Sequence, residues 1–367
     1  MRDVLGEIRG WYDADKAFAL ATVVHTYRSA PRQPGAAMGV ASTGEVVGSV
    51  SGGCVEGAVY DLGNDVLATG EPVLAHYGVS DSEAFAVGLT CGGEIDIFVE
   101  AIDPQRFLEF SGVAEAIDAH APVALATVVS GPIGVGTRLV VWPDRVEGSL
   151  GEPGLDVAVV DDAQGMLAGG ATGLRHYGLK GERRMDEIGV FIHSYAPPPR
   201  MLVFGAIDYA AAVARIGNFL GYHVTVCDAR PVFATKARFP GADEVVVEWP
   251  HRFLEHTTVD ERTVICVLTH DPKFDVPLLE AALRTPASFI GVMGSRRTHT
   301  DRLDRLRERG VSEDDLRRIA APVGLDIGAS TPEETAVSVA AEMVALRTGA
   351  SGRRLTETSG RIHGPWT

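Results

Sequence analysis

Two glycine-cysteine loops carry residue types that suit a bound ligand. In the first, Gly48-Ser49-Val50-Ser51-Gly52-Gly53-Cys54-Val55-Glu56 follows the strand-like pair Val46-Val47. It leads into Val55, Ala58 or Val59, Leu62 and Val66, which have the spacing of a helix face, so a helix is expected from Cys54 onward. A glycine loop feeding a helix start presents unpaired N–H groups to an anion, and the positive end of the dipole assists. A thiolate at Cys54 would be favoured in that first turn. The competing reading is a small cysteine buried in a tight turn. The second loop, Leu89-Thr90-Cys91-Gly92-Gly93-Glu94, is similar, and two such loops can flank one ligand.

Further candidates are spread along the chain. Arg28 and Arg32, in a proline-rich stretch with Gln33, could clamp a phosphate or carboxylate, or be solvated surface charges. Gly205-Ala206-Ile207-Asp208-Tyr209-Ala210 follows an apolar run, and Asp228-Ala229-Arg230 closes the next one, with the acid 23 residues after the glycine. That is the βαβ spacing of a dinucleotide-binding fold, in which Gly205, Asp228 and Arg230 would face the ligand. The fingerprint is broken at its second glycine, where the β-branched Ile207 obstructs approach to a pyrophosphate and so disfavours NAD(P). His270, in Thr269-His270-Asp271, ends a later strand as a candidate base. Gly294-Ser295-Arg296-Arg297 ends another and opens a helix, combining unpaired N–H groups with two guanidiniums. Cations are disfavoured at a helix start, so their presence there points to an anionic ligand.

An internal repeat positions the cysteine loops. Ala19-Leu20-Ala21-Thr22-Val23-Val24 recurs as Ala124-Leu125-Ala126-Thr127-Val128-Val129; Gly48-Ser49 recurs as Gly148-Ser149; His76-Tyr77-Gly78 recurs as His176-Tyr177-Gly178. Glu94-Ile95 and Phe98 match Glu187-Ile188 and Phe191. The anchors predict two copies of a β-rich α+β unit, about 10–103 and 115–195, within a domain spanning 1–195. Copy two is shorter where copy one has the Arg28–Gly35 stretch and the Cys91 loop, and it has Gly154 at the position of Cys54. What only copy one keeps is the better candidate for function. The prolines at 197–199 then mark a linker. Apolar runs alternating with helical patterns over 196–348 predict a Rossmann-like, doubly wound parallel sheet. Thr331-Pro332-Glu333-Glu334 reads as a capping box opening a last helix, and 349–367 reads as a loose tail. The fold class is therefore α/β in two domains.

Composition narrows the partners. The formal net charge is −16, so nucleic acid and anionic membrane are poor partners. The charged N-terminus lacks a signal peptide's apolar run, and no apolar stretch approaches the ~18 residues of a bilayer span; a cytoplasmic protein with no membrane contact is expected. The four cysteines, Cys54, Cys91, Cys227 and Cys266, include no C-x-x-C pair and are expected to be reduced. Glycine is in excess, 42 of 367 residues, which places weight on loops that approach a ligand closely.

Taken together, the Gly48–Glu56 segment, Leu89-Thr90-Cys91-Gly92-Gly93, Gly294-Ser295-Arg296-Arg297 and Gly324-Leu325-Asp326-Ile327-Gly328-Ala329 resemble the XdhC/CoxF family, also described as XdhC and CoxI, accessory proteins of molybdenum hydroxylases. The resemblance implies binding of molybdenum cofactor (molybdopterin), custody of it during exchange of an oxo for a sulfido ligand, and insertion into an apo-hydroxylase such as xanthine dehydrogenase or a CO-dehydrogenase-type enzyme. It implies a pterin cargo, with an apo-hydroxylase and a cysteine desulfurase as partners and a homodimer as a further expectation. Many members carry Gly-Ala-Gly-His where this chain has Gly205-Ala206-Ile207-Asp208. The implied cofactor contacts fall on Gly48, Ser51, Gly52, Gly53, Cys54, Glu56, Cys91, Gly92, Gly93, Gly205, Asp228, Arg230, His270, Gly294, Ser295, Arg296 and Arg297. Cys54 and Cys91 are expected to face one cavity and to touch molybdenum transiently as soft thiolates. The competing functions are an NAD(P)-dependent oxidoreductase and a purely structural adaptor. Nicotinamide binding would favour the first, and absence of any small-molecule binding the second.

Overall fold

The two Ala-Leu-Ala-Thr-Val-Val segments form the central strands of two separate antiparallel sheets. The computed structural model describes residues 1–27, 32–78 and 93–359, and the chain divides at Pro197/Pro198 into an N-terminal and a C-terminal unit. In the N-terminal unit the first sheet has the order β3-β2-β1-β5-β4, from β1 (Phe18–Tyr27), β2 (Ala37–Ala41), β3 (Val46–Gly48), β4 (Val73–Tyr77) and β5 (Glu94–Ile102). The second has the same order, β8-β7-β6-β10-β9, from β6 (Val123–Ser130), β7 (Arg138–Val141), β8 (Val146–Ser149), β9 (Gly173–Tyr177) and β10 (Ile188–Tyr195). Each sheet is crossed by one helix between its third and fourth strands, α2 (Glu56–Thr69) in copy one and α4 (Pro153–Gly169) in copy two. Each copy also begins with a helix, α1 (Leu5–Asp13) and α3 (Phe110–Asp118). The repeat thus starts earlier than its shared residues suggest, because Leu5 and Ile8 match Phe110 and Val113 only in apolar spacing.

Strand alternation explains the layers. In β5, Ile95, Ile97 and Val99 join Ala19, Ala21 and Val23 under α2, while Phe98 points the other way and meets Val24, Val129 and Phe191 between the sheets. Copy two repeats this with Ala124, Ala126 and Val128 under α4. Phe18, Leu20, Leu125 and Tyr195 continue the inter-sheet core toward α1 and α3. The unit is two sheets face to face with one long helix on each outer side.

The C-terminal unit is a parallel sheet of β11 (Arg200–Phe204), β12 (His223–Asp228), β13 (Glu244–Val247), β14 (Val264–Val267), β15 (Phe289–Val292) and β16 (Ile319–Ala320), in the order β13-β12-β11-β14-β15-β16. Counted from its own first strand this is 3-2-1-4-5-6, the doubly wound dinucleotide-fold order. The strands are apolar on both faces because both are covered. One face packs on α5 (Asp208–Phe219) and α10 (Pro332–Thr348) through Ala210, Val213, Val339 and Met343. The other packs on α6 (Pro250–His256), α7 (Pro272–Leu283) and α8 (Arg296–Glu308), with the short α9 (Glu313–Leu316) following. Cys227 and Cys266 are buried in these two cores on opposite sides of the sheet, where burial pushes each thiol up to about 12. The capping box at Thr331 forms as expected, with Glu334 reaching back to the cap.

No helix among the described residues is long and apolar enough to cross a membrane.

Candidate functional site

The antiparallel order of the first sheet sends three connections to one end. Strand β1 leaves at Tyr27 opposite the start of β5 at Glu94, β2 enters at Ala37, β3 leaves at Gly48 and β4 leaves at Tyr77. The strand ends that bound the connections 28–36, 49–55 and 78–93 therefore lie at the same sheet end, where α2 also begins. These are the segments that distinguish copy one from copy two. Gly93 directly precedes β5, while Arg28, Cys91 and Gly92 lie outside the described residues.

The Cys54 loop is built around a carboxylate of its own. Glu56 accepts hydrogen bonds from the Ser49 hydroxyl (2.6 Å), the Ser51 N–H (2.9 Å) and hydroxyl (2.5 Å), the Gly53 N–H (2.8 Å) and the Val55 N–H (3.2 Å). The Ser51 hydroxyl accepts in turn from Cys54 and Val55, and the Ser49 hydroxyl from Gly52. Gly52 and Gly53 supply the positive φ values that turn successive amides inward. The helix consequently starts at Glu56, two residues later than the apolar spacing suggests. This corrects the reading of the loop as an open anion receptor: its amides, and with them the positive end of the α2 dipole, are met by Glu56. Burial would raise the Glu56 carboxyl, but the hydrogen bonds from Ser49, Ser51 and the backbone outweigh it and bring it down to about 2.

Copy two separates scaffold from specialisation. Ser149 donates to Asp156 at 2.7 Å, Leu150 N–H donates to the same carboxylate at 2.7 Å, and Gly151 N–H donates to Ser149. Gly48 and Gly148 are likewise equivalent, both at positive φ where an added Cβ would collide with the carbonyl of the facing strand residue, Ala37 or Arg138. Gly48 and the Ser49–Glu56 clasp are therefore the scaffold of both copies. Ser51 and Cys54, where copy two has Gly151 and Gly154, belong to copy one alone. Cys54 is half-buried at the margin of the core that holds Val50, Val55 and Ile95.

A second group at this sheet end has no counterpart in the sequence reading. His25, Asp96 and His76 stand in one row across β1, β5 and β4. His76 Nδ1 lies 2.6 Å and His25 Nδ1 3.3 Å from the Asp96 oxygens, so the carboxylate orients both rings. Burial works to raise Asp96, but the two imidazoles hold it below its ordinary range; the hydrogen bond to Asp96 raises His25 against the opposing effect of burial. In copy two the row is reduced to His176 with Asp186, because Gly189 replaces the central acid. Asp96→Asn should bring the His25 titration, followed by imidazole nitrogen NMR, down toward about 6.5. The charge on His25 stabilises the fold below about pH 6.5 and that contribution fades as pH rises through its higher folded value, so the variant should lose stability mainly on the acid side. An unchanged His25 titration would remove Asp96 from this role.

Other candidates take structural places. Arg32 donates to Asp3 at 3.0 Å and, with Gln33, lines a cavity of about 450 Å³ that also receives His193 and Tyr195. A second cavity, about 440 Å³, lies where the two copies meet; the buried Glu100 and the half-buried Arg138, an ion pair from opposite sheets, line it. In the C-terminal unit Asp228 is 3% exposed and accepts from Ala206 N–H (2.7 Å), Arg230 N–H (2.9 Å) and the Arg230 guanidinium (2.9 and 2.7 Å). Arg238 bridges to Asp208 and to the Ala206 carbonyl. An added Cβ on Gly205 would lie 3.0 Å from the Thr269 N atom, so this glycine is required by the neighbouring strand. Gly205, Asp228 and Arg230 thus bind one another's segments, which corrects the expectation that they face a dinucleotide. His270 is exposed, and Asp271 beside it caps α7. Among the described residues no group of three His, Cys, Asp or Glu side chains is placed to hold a metal ion.

Comparison with known proteins follows the same division. The family described as "XdhC and CoxI family" matches residues 11–78 and again 116–178, one match for each copy, and "XdhC Rossmann domain" matches 201–343. The chain is 28% identical over 346 residues to a probable xanthine dehydrogenase component of Bacillus subtilis strain 168, covering 89% of this chain and 92% of that one. It is 26% identical over 332 residues to the molybdenum cofactor insertion chaperone PaoD of Escherichia coli strain K12, covering 90% and 84%. A crystal structure described as a xanthine dehydrogenase from Bacillus halodurans shares the fold over 97% of both chains, with a TM-score of 0.67 at 24% identity.

Proposed function

The chain belongs to the XdhC and CoxI family, and from that premise we propose that it carries molybdenum cofactor as cargo to an apo molybdenum hydroxylase. Two relatives, one named for xanthine dehydrogenase and the other a cofactor insertion chaperone, support this reading. The observation that carries it is the difference between the two copies. The clasped turn is common to both, yet only copy one sets a cysteine on it, at the sheet end where the strands that bound its longer connections end and where the His25–Asp96–His76 row lies.

The residues fit the metal end of this cargo better than its phosphate. The loop amides are already bonded to Glu56 or to the serine hydroxyls that it holds, so a phosphate would have to displace a carboxylate held by five donors. A thiolate at Cys54 is a soft ligand suited to a transient contact with molybdenum, and release needs such contacts to be few. Cys91, in the sequence between β4 and β5, is the proposed second sulfur. The two imidazoles held by Asp96 can exchange protons or hydrogen-bond to the cargo's oxo, sulfido or pterin groups. Holding the cargo while a cysteine desulfurase supplies sulfur is part of this reading, and catalysis by the chain itself is not required.

Incubating the purified protein with molybdenum cofactor should yield a complex that survives gel filtration and activates an apo-hydroxylase on mixing. Failure to retain the cofactor, together with saturable binding of a nicotinamide nucleotide, would replace this function with that of an oxidoreductase. The geometry around Asp228 and Ile207 argues against that outcome.

A further inference from the structure

The glycine turns before α2 and α5 are filled from within, by Glu56 and by Asp228. The turn Gly294-Ser295-Arg296-Arg297 at the start of α8 is different. The Ser295 hydroxyl caps Thr298 N–H at 3.1 Å, and His299 N–H bonds the Ser295 carbonyl. Among the described residues the N–H groups of Gly294, Ser295, Arg296 and Arg297 have no acceptor. Among the described residues neither Arg296 nor Arg297 has an ion-pair partner, and both are exposed.

Behind this turn lies a buried cation. Arg302, one and a half turns along α8, is 4% exposed. Its Nη2 donates to Asp275 at 2.7 Å and approaches the Met293 carbonyl at 3.4 Å. Its Nη1 is fully buried with no partner, and it lies 3.7 Å from where a Cβ on Gly294 would stand. A guanidinium nitrogen with unmet donors in a buried place has a large desolvation cost unless an acceptor reaches it. Gly294 is at φ +145°, so a side chain at this position would be strained as well as set between Arg302 and Thr298.

We infer that the Gly294–Arg297 turn is a binding site for a terminal phosphate group, held by the helix-start amides and Arg296 and Arg297 from outside and by Arg302 from beneath. The chemistry is that of a phosphate monoester dianion: a helix start supplies N–H donors, the exposed guanidiniums neutralise charge, and the buried one fixes direction. A pterin phosphate and a nucleotide phosphate share this group, so the site does not depend on the cargo proposed above.

Inorganic phosphate titrated into the full chain by calorimetry tests it, with binding expected in the range of about 1 mM. Arg302→Lys keeps the charge beside Asp275 but lacks the second nitrogen, and should weaken phosphate at least ~10-fold. The surface variant Arg296→Gln/Arg297→Gln should weaken it similarly while leaving the ligand-free melting temperature unchanged or slightly raised, because two cations leave a helix start. Displacement of phosphate by molybdopterin and not by adenosine 5′-monophosphate assigns the pterin; the reverse assigns a nucleotide; either upholds the site. Absence of saturable phosphate binding by the wild-type chain, or equal affinity in both variants, overturns it, whatever the result for cofactor custody by the Cys54 loop.

Discussion

Glu56→Ala should lower the stability of the N-terminal unit by about 2–4 kcal/mol and abolish retention of molybdenum cofactor, whereas Asp156→Ala should cost about 1–2 kcal/mol and leave retention intact. The two carboxylates do the same local work in the two copies, but the groups they satisfy differ. Glu56 takes five donors, and those on Ser51 and Val55 sit in residues only 1% and 0% exposed, so water cannot replace the acceptor there. Donors on Ser49 and Gly53 are nearer solvent and contribute less. Asp156 takes two, of which only the Leu150 amide is in a buried residue. Acid should mimic the first substitution. With its carboxyl at about 2 in the fold against about 4.5 unfolded, the contribution of Glu56 is complete above about pH 4.5 and disappears as pH falls toward 2. Chemical denaturation of both variants, with cofactor retention measured below both melting points, separates damage to the scaffold from damage to the site. Equal loss of retention in the two variants would mean that the whole unit, and not the copy-one loop, holds the cargo.

Asp275→Ala should destabilise the C-terminal unit by about 3–5 kcal/mol, a melting shift of roughly 10 °C or more for a unit of this size. Asp275 is 2% exposed and receives both the Arg302 guanidinium and the Thr269 hydroxyl. Removing it leaves a buried positive charge whose second nitrogen is already without a partner. The pair as such contributes much less, since desolvation of two charges offsets most of their attraction. Asp275→Leu with Arg302→Met should therefore restore most of the lost stability while losing phosphate affinity. Calorimetric melting of the single and double variants checks this, and a double variant no more stable than Asp275→Ala would show that the pair is needed for the fold itself.

Much of the architecture is legible in the sequence because local pattern and tertiary role agree. The repeated Ala-Leu-Ala-Thr-Val-Val falls on the central strands β1 and β6, where a substitution would disturb two neighbouring strands at once. The alternation after Pro199 resolves into a parallel sheet because its strands are mostly apolar. The Glu56 clasp is readable in principle, since Ser49 to Glu56 and Ser149 to Asp156 have the same spacing in both copies. It escapes a reading by motif because glycine loops before helices suggest an external anion, and the internal carboxylate that replaces it lies past the glycines. The His25–Asp96–His76 row cannot be found from spacing, because it is created by the register of three strands distant in sequence. Arg302 is hidden similarly, inside a helix whose composition is highly polar, and only burial distinguishes it from the exposed arginines around it.

The most direct measurement of the central claim is the amount of molybdenum cofactor that Cys54→Ala retains and transfers to an apo-hydroxylase, compared with the wild-type chain. Cys54 is half-buried on a turn whose shape is set by Ser49, Ser51 and Glu56, so its truncation should leave the fold intact. Retention and transfer should fall at least ~10-fold, the equivalent of one lost ligand contact of about 1.4 kcal/mol or more. Full retention and full activation by Cys54→Ala, and likewise by Cys91→Ala, would contradict the claim.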